Sequence, residues 1–150
     1  MPQRDSIHQI VRDALEKDGW VITDDPYVIS YDERFHFVDL GARGVSRPSE
    51  FIGAQRQDQK IAAEIKDFRG RSAIGNLEQA IGQYVLYKLL LNQVDQSRKI
   101  YLAISEIAFD EIFGKPIGEL VINGLPMRLV IIDVEKIEVK QWIQTSTETP

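Results

Sequence analysis

The sequence contains no cysteine, which excludes disulfide bonds and metal sites built from thiolates. This absence fits a reducing compartment, and the N-terminus, Met1-Pro2-Gln3-Arg4-Asp5, opens without an apolar signal segment. The longest apolar stretch, around residues 84–91, is interrupted by Lys88 and is too short to span a bilayer. We therefore predict a cytoplasmic protein that does not enter a membrane.

The chain also lacks an overall positive charge. Its 18 lysines and arginines are outnumbered by 23 aspartates and glutamates, for a net charge of −5, which argues against indiscriminate nucleic-acid binding. The charge is unevenly distributed, however: residues 1–33 carry a net −5, residues 34–71 a net +3 and residues 72–150 a net −3. The positive third would attract an anionic substrate.

The composition that remains is that of a globular protein, with 43% apolar and 27% charged residues among 150. It predicts a single domain over residues 1–150, with a loose polar tail from about residue 145. Helical and strand periodicities follow one another as helix, strands, helix, strand, helix, strands. This order predicts an α/β (α+β) domain with a mixed central sheet flanked by helices.

Capping and breaking residues predict where the helices lie. The first helix should begin at an Asp5-Ser6 cap and end at Gly19, and a long helix should cover residues 74–94. A short helix should begin at residue 105 or 106 and end before Gly114 and Pro116. The predicted apolar face of the long helix consists of Leu77, Ile81, Val85, Leu89 and their neighbours.

Runs of β-forming residues predict the strands. They cover residues 20–23, 35–40, 51–55, 60–67, 100–104, 128–133 and 137–143, with a short extension at 27–30. Trp20 and Trp142 lie beside strand segments and are predicted to belong to the core.

Glu64-Ile65-Lys66 carries the clearest chemistry in the chain. Side chains alternate along a strand, so Glu64 and Lys66 should share one face. A carboxylate, a second carboxylate from a neighbouring strand, such as Asp39, and this lysine would make a minimal Mg²⁺ phosphodiesterase site. The alternative is a solvated strand face with cross-strand charge pairs.

Asp39, then Glu64-X-Lys66, then a helix form an ordered pattern that resembles the PD-(D/E)XK nuclease superfamily. On the long helix, Gln79, Gln83 and Tyr87 follow at i, i+4 spacing. In several branches of that superfamily a Gln-x-x-x-Tyr pair on this helix lies over the active site. The alternative is that the stripe only marks the boundary between the buried and the wet face.

More narrowly, the chain resembles XisH, a cyanobacterial family named for controlling excision of the fdxN element. The matching blocks extend over most of the chain: 14–20, 22–26, 38–42, 60–66, Phe68, 82–84 and 141–143. Two departures are Arg43, with an apparent insertion through Ser49, and Gln55, where acidic residues are expected. Both remove negative charge near the predicted site.

The resemblance implies a restriction-endonuclease-like fold and a set of site residues. Asp39 and Glu64 would bind Mg²⁺ or Mn²⁺, Lys66 would orient the attacking water, and Gln83 would position the scissile phosphate or the lysine. A carboxylate on the first helix often assists the metal in this superfamily, which predicts Glu16 as a third ligand. Its alternative is a solvated partner of Arg12.

The predicted DNA contacts come from Arg69, Arg71 and Tyr87, although loop arginines are also often simply solvated. The resemblance implies DNA, a small companion protein, XisI, and a site-specific recombinase as partners, and it leaves a homo-oligomer open. Three interpretations compete. They are a Mg²⁺-dependent endonuclease in programmed DNA excision, a non-catalytic regulator that binds XisI and the recombinase, and a toxin–antitoxin-like pair with XisI.

Overall fold

The computed structural model describes residues 3–32, 35–36, 50–66 and 72–144. Its helices are α1 Gln3–Lys17, α2 Ala73–Val94, α3 Glu106–Ile112 and α4 Pro116–Gly124. Its strands are β1 Val21–Asp24, β2 Ser30–Asp32, β3 Phe35–His36, β4 Glu50–Arg56, β5 Gln59–Ile65, β6 Arg98–Ser105, β7 Arg128–Asp133 and β8 Glu138–Gln144. The predicted α+β class is confirmed.

Within the described residues, six strands form one mixed sheet in the order β1-β4-β5-β6-β7-β8. β5, β6 and β7 run parallel, while β1, β4 and β8 are joined by antiparallel pairing. The long helix α2 connects the parallel neighbours β5 and β6, as a crossover between parallel strands requires. β2 and β3 pair separately as a short second sheet.

Each face of the large sheet has its own apolar core. On one face α2 packs with α3 and α4, through side chains such as Leu77, Tyr84 and Phe113. On the other face α1 packs through Val11, Leu15 and their neighbours. The central strands are therefore buried on both faces, which explains why residues 61–65 and 100–104 are nearly continuous apolar runs.

The first helix behaves largely as predicted. Ile7, Val11, Ala14 and Leu15 are buried on the sheet, and Gly19 follows the helix with a φ of +92°, a conformation that glycine adopts without strain. The helix begins at Gln3, two residues before the predicted cap.

The predicted apolar face of α2 is wrong in its second half. Leu77 is buried and Ile81 packs against the core, but Val85 and Leu89 are 44% and 61% exposed. A step of four residues overshoots one turn by about 40°, so three such steps move from the core face to solvent. The buried apolar residues instead follow alternating steps of three and four: Leu77, Ala80, Tyr84, Tyr87 and Leu91.

The sequence prediction missed α4. Gly114 and Pro116 do end α3, but Pro116 is also the first residue of the next helix, a position that proline favours because its missing N–H is not needed there. Within α4, Gly118 is buried where the helix passes very close to the end of α3. A Cβ at this position would lie 2.3 Å from the carbonyl oxygen of Ile112 and 2.4 Å from Cα of Phe113.

We expect Gly118→Ala to destabilise the fold by about 2 kcal/mol or more, because the clash is with backbone that cannot rotate away. Gly82→Ala is the matched control. Gly82 is exposed in the middle of α2 with nothing within 4 Å of an added Cβ. The alanine there should raise stability by about 0.5–1 kcal/mol. Urea unfolding measures both changes, and equal stability of the two variants would contradict the α3–α4 packing.

Several predictions fall outside the described residues. They concern the second half of the strand at 35–40, the loop that follows it and the tail from 145. Among the described helices, none is both long and apolar enough to cross a membrane.

Candidate active site

Strand β5 places Glu64 and Lys66 on the face of the sheet that α2 covers. Glu64 is fully buried beside Phe51 of β4 and Leu102 of β6, whose side chains belong to the α2-side core. The backbone N–H of Lys66 donates to the carbonyl of Ala103 at 3.1 Å, which continues the pairing with β6 one residue past the strand. The alternative of a solvated strand face is therefore wrong for Glu64.

Helix α2 brings Gln83 to the same place. The Lys66 Nζ donates a hydrogen bond to Oε1 of Gln83 and lies 3.7 Å from Oε2 of Glu64. Because an ammonium group only donates, Gln83 presents its carbonyl oxygen to the lysine. The lysine head group is thus held between a carboxylate on the strand and an amide on the helix.

Burial alters the acid–base character of the lysine. The Lys66 side chain is only 14% exposed, and this desolvation lowers the pKa of Lys66 below that of a free lysine, against the opposing attraction of the Glu64 carboxylate. The ammonium group therefore releases its proton more readily than a surface lysine does. Such a group can exchange a proton with a nearby water or with a developing oxyanion.

The described residues supply one ligand of the predicted metal site. Glu64 offers the hard oxygen donors that Mg²⁺ prefers, and Mg²⁺ is often held by only one or two protein carboxylates. Among the residues that the structure describes, no three His, Cys, Asp or Glu side chains come together as a metal cluster. The donor chemistry fits Mg²⁺ or Mn²⁺, and Asp39, the predicted second ligand, lies outside the described residues.

Tyr87 does not lie where the predicted DNA contact would need it. It is 7% exposed and packs edge-on against Phe51, with ring centroids 5.3 Å apart. The reason is the helical step: from Gln79 through Gln83 to Tyr87 the i+4 positions rotate by about 80° in total. This rotation places Gln83 at the edge of the core face and Tyr87 inside it.

Glu16 is not brought to Glu64. It is exposed on α1, and α1 packs on the opposite face of the sheet. Its predicted alternative partner, Arg12, instead donates to Asp25 at 2.7 Å, and His8 lies 2.7 Å from the same carboxylate. Burial tends to raise the pKa of Asp25, but the hydrogen bonds from His8 and Arg12 outweigh it and lower the pKa.

Arg69 and Arg71, the remaining predicted DNA contacts, lie outside the described residues and stay predictions. The sequence analysis also missed a concave region on the α1 side of the sheet, beside Trp142. Trp20 is buried as predicted, but Trp142 is only partly buried. The residues that line this region lie at adjoining strand ends and include Arg56, Lys99 and Trp142.

Comparison with known proteins places the chain in a family. The family model described as XisH protein matches residues 1–140. A crystal structure of an fdxN element excision controlling factor protein from Anabaena variabilis is 34% identical, with a TM-score of 0.80, and the match covers 94% of this chain and all of that one. An XisH family protein from Nostoc punctiforme PCC 73102 is also 34% identical, with a TM-score of 0.79, over 93% of this chain and all of that one.

No match was found among curated proteins. The family match and the two structures nevertheless extend over nearly the whole chain, and they agree with each other. This protein belongs to the XisH family.

Proposed function

We propose that this protein is a Mg²⁺-dependent endonuclease of the PD-(D/E)XK type that cuts DNA in the programmed excision of a genetic element. The observation that supports the proposal is the contact of Glu64, Lys66 and Gln83 on the α2 face of the sheet. A buried carboxylate and a lysine with a lowered pKa, held by an amide from the adjacent helix, suit phosphodiester hydrolysis.

Each side chain has a distinct task in this proposal. Glu64, with Asp39 as the second ligand, would hold the divalent ion, which supplies charge neutralisation at the phosphate when it is bound. Lys66 would orient the attacking water and exchange a proton with it, because its pKa is lowered by burial. Gln83 would keep the lysine head group in place through the carbonyl oxygen of its amide.

The relatives support a proposal for the biological setting. One of them is an fdxN element excision controlling factor, which suggests the same role for this chain. An XisI-like companion and a site-specific recombinase would then act beside it, with DNA as the substrate. Residues 34–71, which contain Glu64 and Lys66, carry a net positive charge, and this charge would favour the approach of DNA.

The direct test incubates the purified protein with supercoiled, linear and branched DNA, alone and with an XisI-like companion. We expect nicking or cleavage in Mg²⁺ or Mn²⁺ and none in EDTA. Gel electrophoresis of the DNA products measures the nicking and cleavage. Absence of cleavage on every substrate, with the companion present, would contradict the endonuclease proposal.

A second candidate function is a non-catalytic regulator that binds a companion protein, and one observation favours it. The solvent-exposed face of α2 carries a cluster of apolar side chains: Val85, Leu86 and Leu89 are 44%, 46% and 61% exposed. A cluster of this kind is typical of a protein-binding surface. In the test above, an uncleaved substrate together with co-elution of the XisI-like companion in gel filtration would support the regulator instead.

A further inference from the structure

Helix α2 carries apolar side chains on two opposite sides. One glutamate and one lysine are the only charged residues among its 22, and a helix of this composition is normally covered around most of its circumference. One side of α2 packs on the sheet. On the side that faces away from the sheet, Val85, Leu86 and Leu89 are exposed around Gly82, which is also exposed. We refer to these four residues as the outer patch.

The outer patch contains a hollow at Gly82 and a projection at Leu89. An added Cβ at Gly82 would meet no atom of the described residues within 4 Å, so the surface there is open. Leu89 follows seven residues later, about two helical turns, so both positions lie on one face and about 10 Å apart. Glycine within an exposed helix is less favourable than alanine. The close approach of another helix would give this glycine a role that the monomer does not show.

A second copy of the chain fits this surface about a two-fold axis that passes between Val85 and Leu86. In an antiparallel pair of α2 helices, that axis places Leu89 of each copy over Gly82 of the other, because both positions lie equally far from it. Val85 of one copy then faces Leu86 of the other. Both copies use the same surface, which is the usual construction of a homodimer. The projection of each copy fills the hollow of its partner.

The polar residues of α2 favour this arrangement over its alternatives. Glu78 and Gln93, which are both exposed, would face each other across the same axis, so that an amide N–H can donate to a carboxylate at each end. A parallel pair of helices would place Glu78 against its own copy, and like charges repel. An antiparallel pair with its axis two residues closer to the start of α2 would press Glu78 against Leu89 and desolvate the carboxylate.

We propose that the outer patch is the interface of a homodimer, in which two α2 helices pack antiparallel with Leu89 of each copy over Gly82 of the other. One helix from each copy supplies the contact, so the interface is small and dimerisation should be reversible and concentration-dependent. The inference does not depend on the proposed endonuclease activity, because it rests on the side of α2 that faces away from the sheet. The regulator considered above would use this patch for a companion and would leave the isolated chain monomeric.

Sedimentation equilibrium of the purified chain over a wide range of concentration tests the proposal. We expect the average mass to rise reversibly from that of the monomer to that of the dimer and to stop there, because a two-fold contact closes on itself. A chain that stays monomeric at the highest concentration reached would overturn the proposal, and so would a mass that continues to rise beyond the dimer.

A single variant locates the interface. Leu89→Glu should weaken dimerisation by about ten-fold or more, because it places a carboxylate in the centre of the apolar contact. The matched control is Leu120→Glu, since Leu120 is 70% exposed on α4 and outside the outer patch. Both leucines are exposed in the monomer, so melting temperatures should show that both variants are folded. Unchanged dimerisation of Leu89→Glu, or an equal loss in Leu120→Glu, would overturn the assignment.

A mixing experiment tests whether Leu89 faces Gly82. Gly82→Lys fills the hollow and should also weaken dimerisation of that variant alone. In an equimolar mixture of Gly82→Lys and Leu89→Glu, the two substituted side chains face each other with opposite charges at one contact, and the other contact is unchanged. We expect the mixture to dimerise about ten-fold more tightly than either variant alone. A mixture that associates no better than its components would overturn the arrangement.

Discussion

Glu64→Gln is expected to lower metal-dependent DNA cleavage by about 10³-fold, the scale on which losing one preorganised electrostatic contact acts in an active site. Glutamine keeps the shape of the side chain, so the fully buried position stays filled. It removes the negative charge that a divalent ion needs. The variant should stay folded, because Lys66, whose pKa burial already lowers, can release its proton once the carboxylate is gone.

Two measurements accompany the cleavage assay. The melting temperature of the wild-type protein should rise with Mn²⁺ concentration, as ligand binding to the folded state requires, and that of Glu64→Gln should not. Glu78→Gln is the matched control, since Glu78 is exposed on the outer side of α2. A Glu64→Gln variant that cleaves at the wild-type rate would show that the catalytic site lies elsewhere in the chain.

The site could be predicted in part from the sequence, because strand alternation fixes which side chains share a face. Glu64 and Lys66 had to lie together once the strand was recognised. The position of Gln83 beside them was implied by the resemblance to the nuclease superfamily and not by the helical spacing. Strand alternation does not predict how completely other elements cover that face. The complete burial of Glu64 follows from β5 lying inside the sheet with α2 over it, which depends on long-range packing.

Tyr87, Leu89 and Glu16 show where local rules fail. Residues at i and i+4 share a helix face over one step, but the angular offset accumulates over several steps. Tyr87 therefore lies in the core, and Leu89 is exposed to solvent. The place of Glu16 depends on which face of the sheet α1 covers, and no local pattern in the sequence encodes that choice. Pro116 was ambiguous for a different reason: proline ends one helix and begins the next with the same fixed φ.

Lys66→Met is expected to destabilise the metal-free protein by about 3–5 kcal/mol at neutral pH, the cost typical of removing one partner from a buried ion pair. Methionine fills much of the lysine volume, so the effect reports the loss of the charge that faces Glu64 at 3.7 Å together with the loss of the hydrogen bond to Gln83. The loss should shrink on adding Mn²⁺, which replaces the missing positive charge, while cleavage stays abolished.

A double-mutant cycle tests whether this loss comes from the pair. Lys66→Met together with Glu64→Gln should be more stable than Lys66→Met alone, because no uncompensated charge is then left in the interior. The matched control is Lys140→Met, which breaks a lysine–glutamate pair with Glu106 at the surface, where Lys140 is 51% exposed. Solvent already screens that pair, so its loss should leave the unfolding midpoint almost unchanged. Equal losses of unfolding free energy for Lys66→Met and Lys140→Met, measured by urea unfolding, would mean that the Glu64–Lys66 pair is not buried. The site would then lack the desolvated lysine on which the proposed chemistry depends.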